Sequence, residues 1–223
     1  MTDAAVYLVP IGGGRFELYT EPLEETADEA ADGAWNRWRH RAQQRWRQMI
    51  HAAHTGGATG RLARARDWMV CRIAESIVEQ RTLWSLRGVT SAALVYPDDL
   101  SDASAAVART RLLEGSSRHH RQWLIANLAL LALTAPLFLL PGPNFIGYYF
   151  LFRVVGHFLS WRGARQAIDR TSWRGRAEPA LTRLGALAGR ARDERAEEVE
   201  RLAEGLALPR LADFFDRVAR PPR

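Results

Sequence analysis

Tyr149, Arg153, Gly156 and Ser160 share one face of a helix that turns about 100° per residue, with His157 at the edge of that face. An imidazole is the side chain that exchanges protons near neutral pH. A fixed guanidinium one turn away would tune that exchange and repel other cations. The same residues can equally serve as packing contacts that hold helices together. Two helices cannot enclose a pore, so transport would require an oligomer or a partner.

The elements that must position these groups are unusual. From Gln122 to Phe152 the chain carries no charged side chain, and Arg121 and Arg153 bound that run. About 18 or more consecutive apolar residues are the ordinary mark of a helix crossing roughly 30 Å of hydrocarbon. Pro141, Gly142, Pro143 and Asn144 interrupt the run with turn-forming residues. The expectation is a transmembrane helical hairpin over 122–161 with its turn at PGPN. Arginines lie on both flanks, among them Arg109, Arg111, Arg118 and Arg121 before it and Arg162, Arg165, Arg170, Arg174 and Arg176 after it. Basic flanks stay on the side of synthesis, so both termini are expected in the cytoplasm or matrix.

In that geometry Arg153 sits about 14 Å along a helix from Asn144, near mid-bilayer. An unpaired arginine there costs about 2.5 kcal/mol or more, which demands a partner or water. Folding the run about its turn sets Asn127 level with Phe158 and Thr134 level with Leu151. The expected cluster is therefore Tyr149, Arg153, His157, Asn127 and Thr134. Phe150, Leu151, Val154, Val155 and Phe158 form the opposite, apolar side.

Composition frames the rest. The chain has 223 residues, a formal charge of +6 and a pI near 10.3. Every basic residue other than histidine is arginine, a bias that points to a high-GC, bacterial source. Such charge suits anionic lipid head groups. The lone Cys71 cannot form an internal disulfide, and MTDAAVYLVP has no leader-like pattern. Residues 5–20 read as a β-hairpin turning at Gly12-Gly13-Gly14, and 91–97 as a third strand. Amphipathic helices are expected over 34–54, with Trp35, Trp38 and Trp46 on one stripe, and over 61–86. A further helix is expected over 102–113, with Asp98 and Ser101 as caps. A charged helix is expected over RDERAEEVERLAEG, and a last amphipathic helix holding Leu211, Phe214, Phe215 and Val218. The organisation is a cytoplasmic α+β region (1–115), the hairpin (122–161) and a basic, then charged, helical region (162–223).

The segment LLPGPNFIGYYFLFRVVGHFLSWRGA resembles the core of the mitochondrial potassium–proton exchange-related family. The shared features are a Pro-x-Pro-Asn turn, aromatics leading to an Arg-x-x-x-His step, and a following glycine. They fall on Pro141, Pro143, Asn144, Tyr149, Arg153, His157 and Gly163, and Arg118-His119-His120-Arg121 is similar too. The chain departs from the family at Phe145-Ile146-Gly147, where another proline is common, and at Gly156, where serine is common. The resemblance implies a role in monovalent cation and proton homeostasis, as exchanger, supporting factor or regulator.

The expectation is thus a mainly α protein with a small antiparallel sheet and one two-helix transmembrane hairpin. It would lie in a bacterial inner membrane, or the mitochondrial inner membrane if eukaryotic. Expected partners are the lipid bilayer, a second copy or a partner membrane protein, and monovalent cations or protons. The alternative is a membrane-anchored interaction protein with an inert hairpin. No nucleophile–base pair, dinucleotide fingerprint or P-loop is present, so no enzyme activity and no cofactor are expected. WNRWRHRAQQRWR interleaves aromatics with arginine, but its tryptophans share one stripe, which suits packing on its own domain first, a helix at the membrane interface second and nucleic acid a distant third. His40, His51 and His54, and separately Asp98, Asp99 and Asp102, lack the convergence of a metal site.

Overall fold

The computed structural model describes residues 4–21, 82–134 and 145–219. They fall into two compact units, one of residues 4–21, 82–121 and 159–219, the other of residues 122–134 and 145–158. The helices expected over 34–54 and 61–86 lie, apart from residues 82–86, outside the described residues. So does the Pro141–Asn144 turn.

The first unit is organised by a four-stranded sheet of β1 (Ala4–Gly12), β2 (Arg15–Tyr19), β3 (Ser91–Pro97) and β4 (Ser172–Glu178), in the order β2-β1-β3-β4. β1 and β2 pair antiparallel, with Val9 opposite Glu17 and Tyr7 opposite Tyr19. Gly12, Gly13 and Gly14 turn the chain between them, each at positive φ, where a side chain would be strained. β1 pairs parallel with β3, and β3 parallel with β4. The expected antiparallel sheet of three strands is therefore corrected to a mixed sheet of four. The physical reason lies in the connections. Parallel neighbours need long crossovers, and helices α1 (Asp102–Thr134) and α2 (Phe145–Asp169) lie between β3 and β4. β4 reads SWRGRAE and has little apolar pattern, so its strand state comes from pairing with β3 at the sheet edge.

The transmembrane hairpin is also corrected. Among the described residues, no helix is long and apolar enough to cross a membrane. The described parts of the uncharged run belong to longer helices that also carry charge. Its first part is the end of α1, which already carries Arg109, Arg111, Arg118 and Arg121, and its last part opens α2, which goes on through Arg153, Arg162 and Arg165. Each helix averages a charged half with an apolar half.

Both faces of the sheet are covered, so its central strands are apolar on both sides. Along β1, Val6 and Leu8 face one way and Tyr7 and Val9 the other. Tyr7, Val9 and Val95 pack against α3 (Pro179–Leu187), α4 (Arg192–Gly205) and α5 (Leu211–Val218) through Leu181, Leu184, Val199, Leu211 and Phe215. On the other face, Val6 and Leu8 lie in clusters that include Ala105 and Leu113 of α1 and Ala164 and Ala167 of α2. Glycine matters where α2 comes closest to residue 83. A Cβ on Gly163 would stand 1.8 Å from the Leu83 carbonyl oxygen, so only glycine permits that approach.

α1 starts where Ser101 Oγ accepts the Ser104 amide at 3.2 Å, and α3 where Glu178 accepts the Ala180 amide with Pro179 in the first turn. Arg195, 2% exposed, is the largest fully buried side chain among the described residues. Its Nη2 lies 3.2 Å from Asp216 Oδ1, its Nη1 donates to the Ala188 carbonyl at 3.4 Å, and its guanidinium stands 5.0 Å above the Phe215 ring. Asp216 also takes Arg192 Nε at 2.7 Å. Removing the acid would strand a buried cation, so Asp216→Ala is expected to destabilise the protein by about 3–5 kcal/mol, whereas Arg195→Met should be close to neutral. Urea denaturation of the full-length variants checks this. Equal losses for both would contradict it.

Tyr19, at the end of β2, is buried against Phe214, with ring centroids 4.8 Å apart, and its hydroxyl donates to Glu21 Oε2 at 2.5 Å. Burial, then the bond to Glu21, pushes its ionisation far above the ordinary tyrosine value of 10.0. The folded pKa exceeds the unfolded one. Stability from this group is therefore complete below pH 10 and is lost as pH rises beyond it. In a spectrophotometric titration, Tyr19→Phe should remove no tyrosinate absorbance up to about pH 11.

Candidate functional site

The second unit places the end of α1 beside the start of α2. Arg153 Nη2 lies 3.2 Å from His157 Nε2, one turn along α2. A guanidinium has donors only, so Nε2 must be the acceptor and the imidazole carries its proton, if neutral, on Nδ1. Proton and guanidinium thus compete for one lone pair. His157 is 4% exposed.

The guanidinium has aromatic faces around it. Its carbon is 5.9 Å from the Tyr149 ring centre and 5.7 Å from that of Trp123, within cation–π range. Trp123 also stacks on His157, with centroids 6.3 Å apart and planes 17° from parallel. Between Glu114 and Asp169 the sequence contains no acidic residue. Imidazole and π faces therefore do here what a carboxylate does elsewhere.

Of the residues expected to cluster, Tyr149, Arg153 and His157 meet. Asn127 and Thr134 instead bond back onto their own helix. Asn127 Nδ2 donates to the Trp123 carbonyl at 2.6 Å, and Thr134 Oγ1 to the carbonyls of Leu130 and Leu131, both at 3.0 Å. Ser160, which shares the polar face of α2, accepts Trp84 Nε1 at 2.8 Å within the first unit. Trp123 was not among the expected site residues. It lies one turn before Asn127 on the stripe that continues to Thr134, and that spacing was the available signal.

Around the cluster the helices expose large apolar side chains. Ile125, Leu128 and Leu133 of α1 and Leu151, Val155 and Phe158 of α2 are all open to solvent, Leu133 by 75%. The flanking Arg118, Arg121, Arg162 and Arg165 are exposed as well.

Elsewhere, a concavity of about 680 Å³ lies between β2 and the start of α1, lined by Arg15, Phe16, Glu17, Val107, Arg111 and Leu112 among others. Burial pushes the Glu17 carboxyl up, against the opposing pull of Arg15, although one side of it stays open to solvent. Asp98 accepts a bond from Thr182 Oγ1 at 2.5 Å, and Asp102 one from the Tyr96 hydroxyl. Among the described residues, no three His, Cys, Asp or Glu side chains converge as metal ligands.

Fold and site together define an α/β protein built on a mixed sheet, with an arginine–histidine–aromatic cluster on its two longest described helices. The chain belongs to the mitochondrial K+-H+ exchange-related family, whose model matches residues 6–169, well over half of its length. No curated protein and no solved structure matches it.

The geometry sets a stability test. His157→Phe keeps a ring but removes the acceptor from the guanidinium, and should lower stability by about 1–3 kcal/mol. His157→Gln, which retains an acceptor, should recover part of that loss. Thermal and chemical denaturation of both variants would show it, and an unchanged His157→Phe protein would contradict the contact.

Proposed function

We propose that the protein acts in potassium–proton balance as a proton-responsive component of an exchange system, working at an anionic lipid surface. The observation that carries this reading is the Arg153–His157 contact. One lone pair on a buried imidazole accepts either the guanidinium or a proton, so the local arrangement responds to protonation of His157. Taking up a proton would set two cations side by side and force Arg153 to move.

Family membership supports the link to potassium and protons, and the family's description ties it to mitochondria. The exposed apolar residues of α1 and α2, next to exposed arginines, support contact with acyl chains beneath anionic head groups. No spanning helix is needed for such contact. A second copy or a partner protein at the same surface would supply the route for ions.

The inert-anchor reading draws on Asn127 and Thr134, which spend their side chains on their own helix. One experiment separates the two. Membrane vesicles carrying the full-length protein would be loaded with a pH-sensitive dye and given an imposed potassium gradient. Arg153→Leu and His157→Leu should each reduce the potassium-dependent pH change severalfold without altering the amount of membrane-associated protein. Unchanged flux with normal assembly would leave the anchor reading standing.

A further inference from the structure

Arg153 is a long, flexible side chain that could leave His157 and reach water by rotating a few bonds. The contact persists only if something holds the guanidinium in place. Among the described residues, the groups facing it from α2 are His157 and Tyr149, and the group facing it from α1 is Trp123. The charged or titratable residues of α1 nearest in sequence to Trp123 are Arg121, His120 and His119. The two histidine rings meet each other edge-on at 5.3 Å.

Trp123 differs from the other neighbours because it touches both members of the pair. It lies flat against the imidazole and presents its π face to the guanidinium. It is also the cluster's link to the outside, being 46% exposed among the apolar residues of α1.

We propose that Trp123 is the positioning residue of the site: it pins the Arg153 guanidinium against the His157 lone pair, so the protonation state of His157 is felt by α1 and its apolar surface. This rests on the reading of the pair as proton-responsive and names the residue that conveys its state. When His157 takes up a proton, Arg153 leaves the lone pair and with it the Trp123 face, and the contact between the helix ends changes. Without Trp123, Arg153 is free to turn toward water. The positive charge beside the imidazole is then lost and protonation becomes easier.

The test is a 15N NMR titration of the full-length protein labelled at histidine, with His157 assigned through His157→Gln. Trp123→Leu should raise the titration midpoint of His157 by about half a pH unit or more, roughly threefold in proton affinity, and leave those of His119 and His120 in place. Trp123→Phe, which keeps a ring, should restore most of the original midpoint and covers the case in which the leucine variant folds poorly. Arg153→Leu should raise the midpoint at least as far, and adding Trp123→Leu to it should produce no further shift. An unmoved midpoint in Trp123→Leu would overturn the proposal, and so would a shift that adds in full to that of Arg153→Leu. This readout is independent of flux. A positive titration beside unchanged ion movement would sink the proposed function and spare the positioning role.

Discussion

A guanidinium has five N–H groups and no lone pair, so it must be met by acceptors or by π faces wherever water is scarce. Arg153 sits in a stretch of chain that offers no carboxylate from Glu114 to Asp169. The structure meets this constraint with an imidazole nitrogen at 3.2 Å and two aromatic rings within 6 Å. A carboxylate would have fixed the arginine over the whole physiological pH range. An imidazole accepts its donor only while unprotonated, and the proposed proton response rests on that difference.

The first unit is organised by its sheet. The mixed sheet is covered on both faces, and one of its layers contains the first part of α1 and the last part of α2. Gly163 lets the α2 backbone approach Leu83 more closely than any side chain would permit. The opposite layer is closed by helices around buried Arg195. That residue meets Asp216, a backbone carbonyl and the Phe215 ring, while its Nε is left without an acceptor. Among the described residues, buried Arg195 is thus held by an acid and half-buried Arg153 by an imidazole.

Much of this was legible in the residues. The three-glycine turn, the strand at 91–97 and the charged C-terminal helices follow local rules of turn chemistry and periodicity. So does the Arg-x-x-x-His step, because residues four apart on a helix meet whatever the tertiary fold. Tertiary pairing was less legible. SWRGRAE carries no strand pattern of its own and becomes β4 by hydrogen bonding to β3. Strand direction depends on crossovers that no short window contains. The uncharged run invited a hairpin of its own, yet secondary structure crosses its start without a break and merges it into the arginine-bearing α1. Asn127 and Thr134 fell on the right face for a shared network but satisfied themselves locally, as short polar side chains in helices often do. Trp123 was missed because a tryptophan in an apolar run reads as packing until its neighbours are known.

The most direct measurement is the tautomeric state of His157 at neutral pH, read from the 15N chemical shifts of its two ring nitrogens. The account predicts an unprotonated, acceptor-type Nε2 and a proton on Nδ1, because only that form can receive the Arg153 donor. A proton found on Nε2, whether in the other tautomer or in an imidazolium, would contradict it.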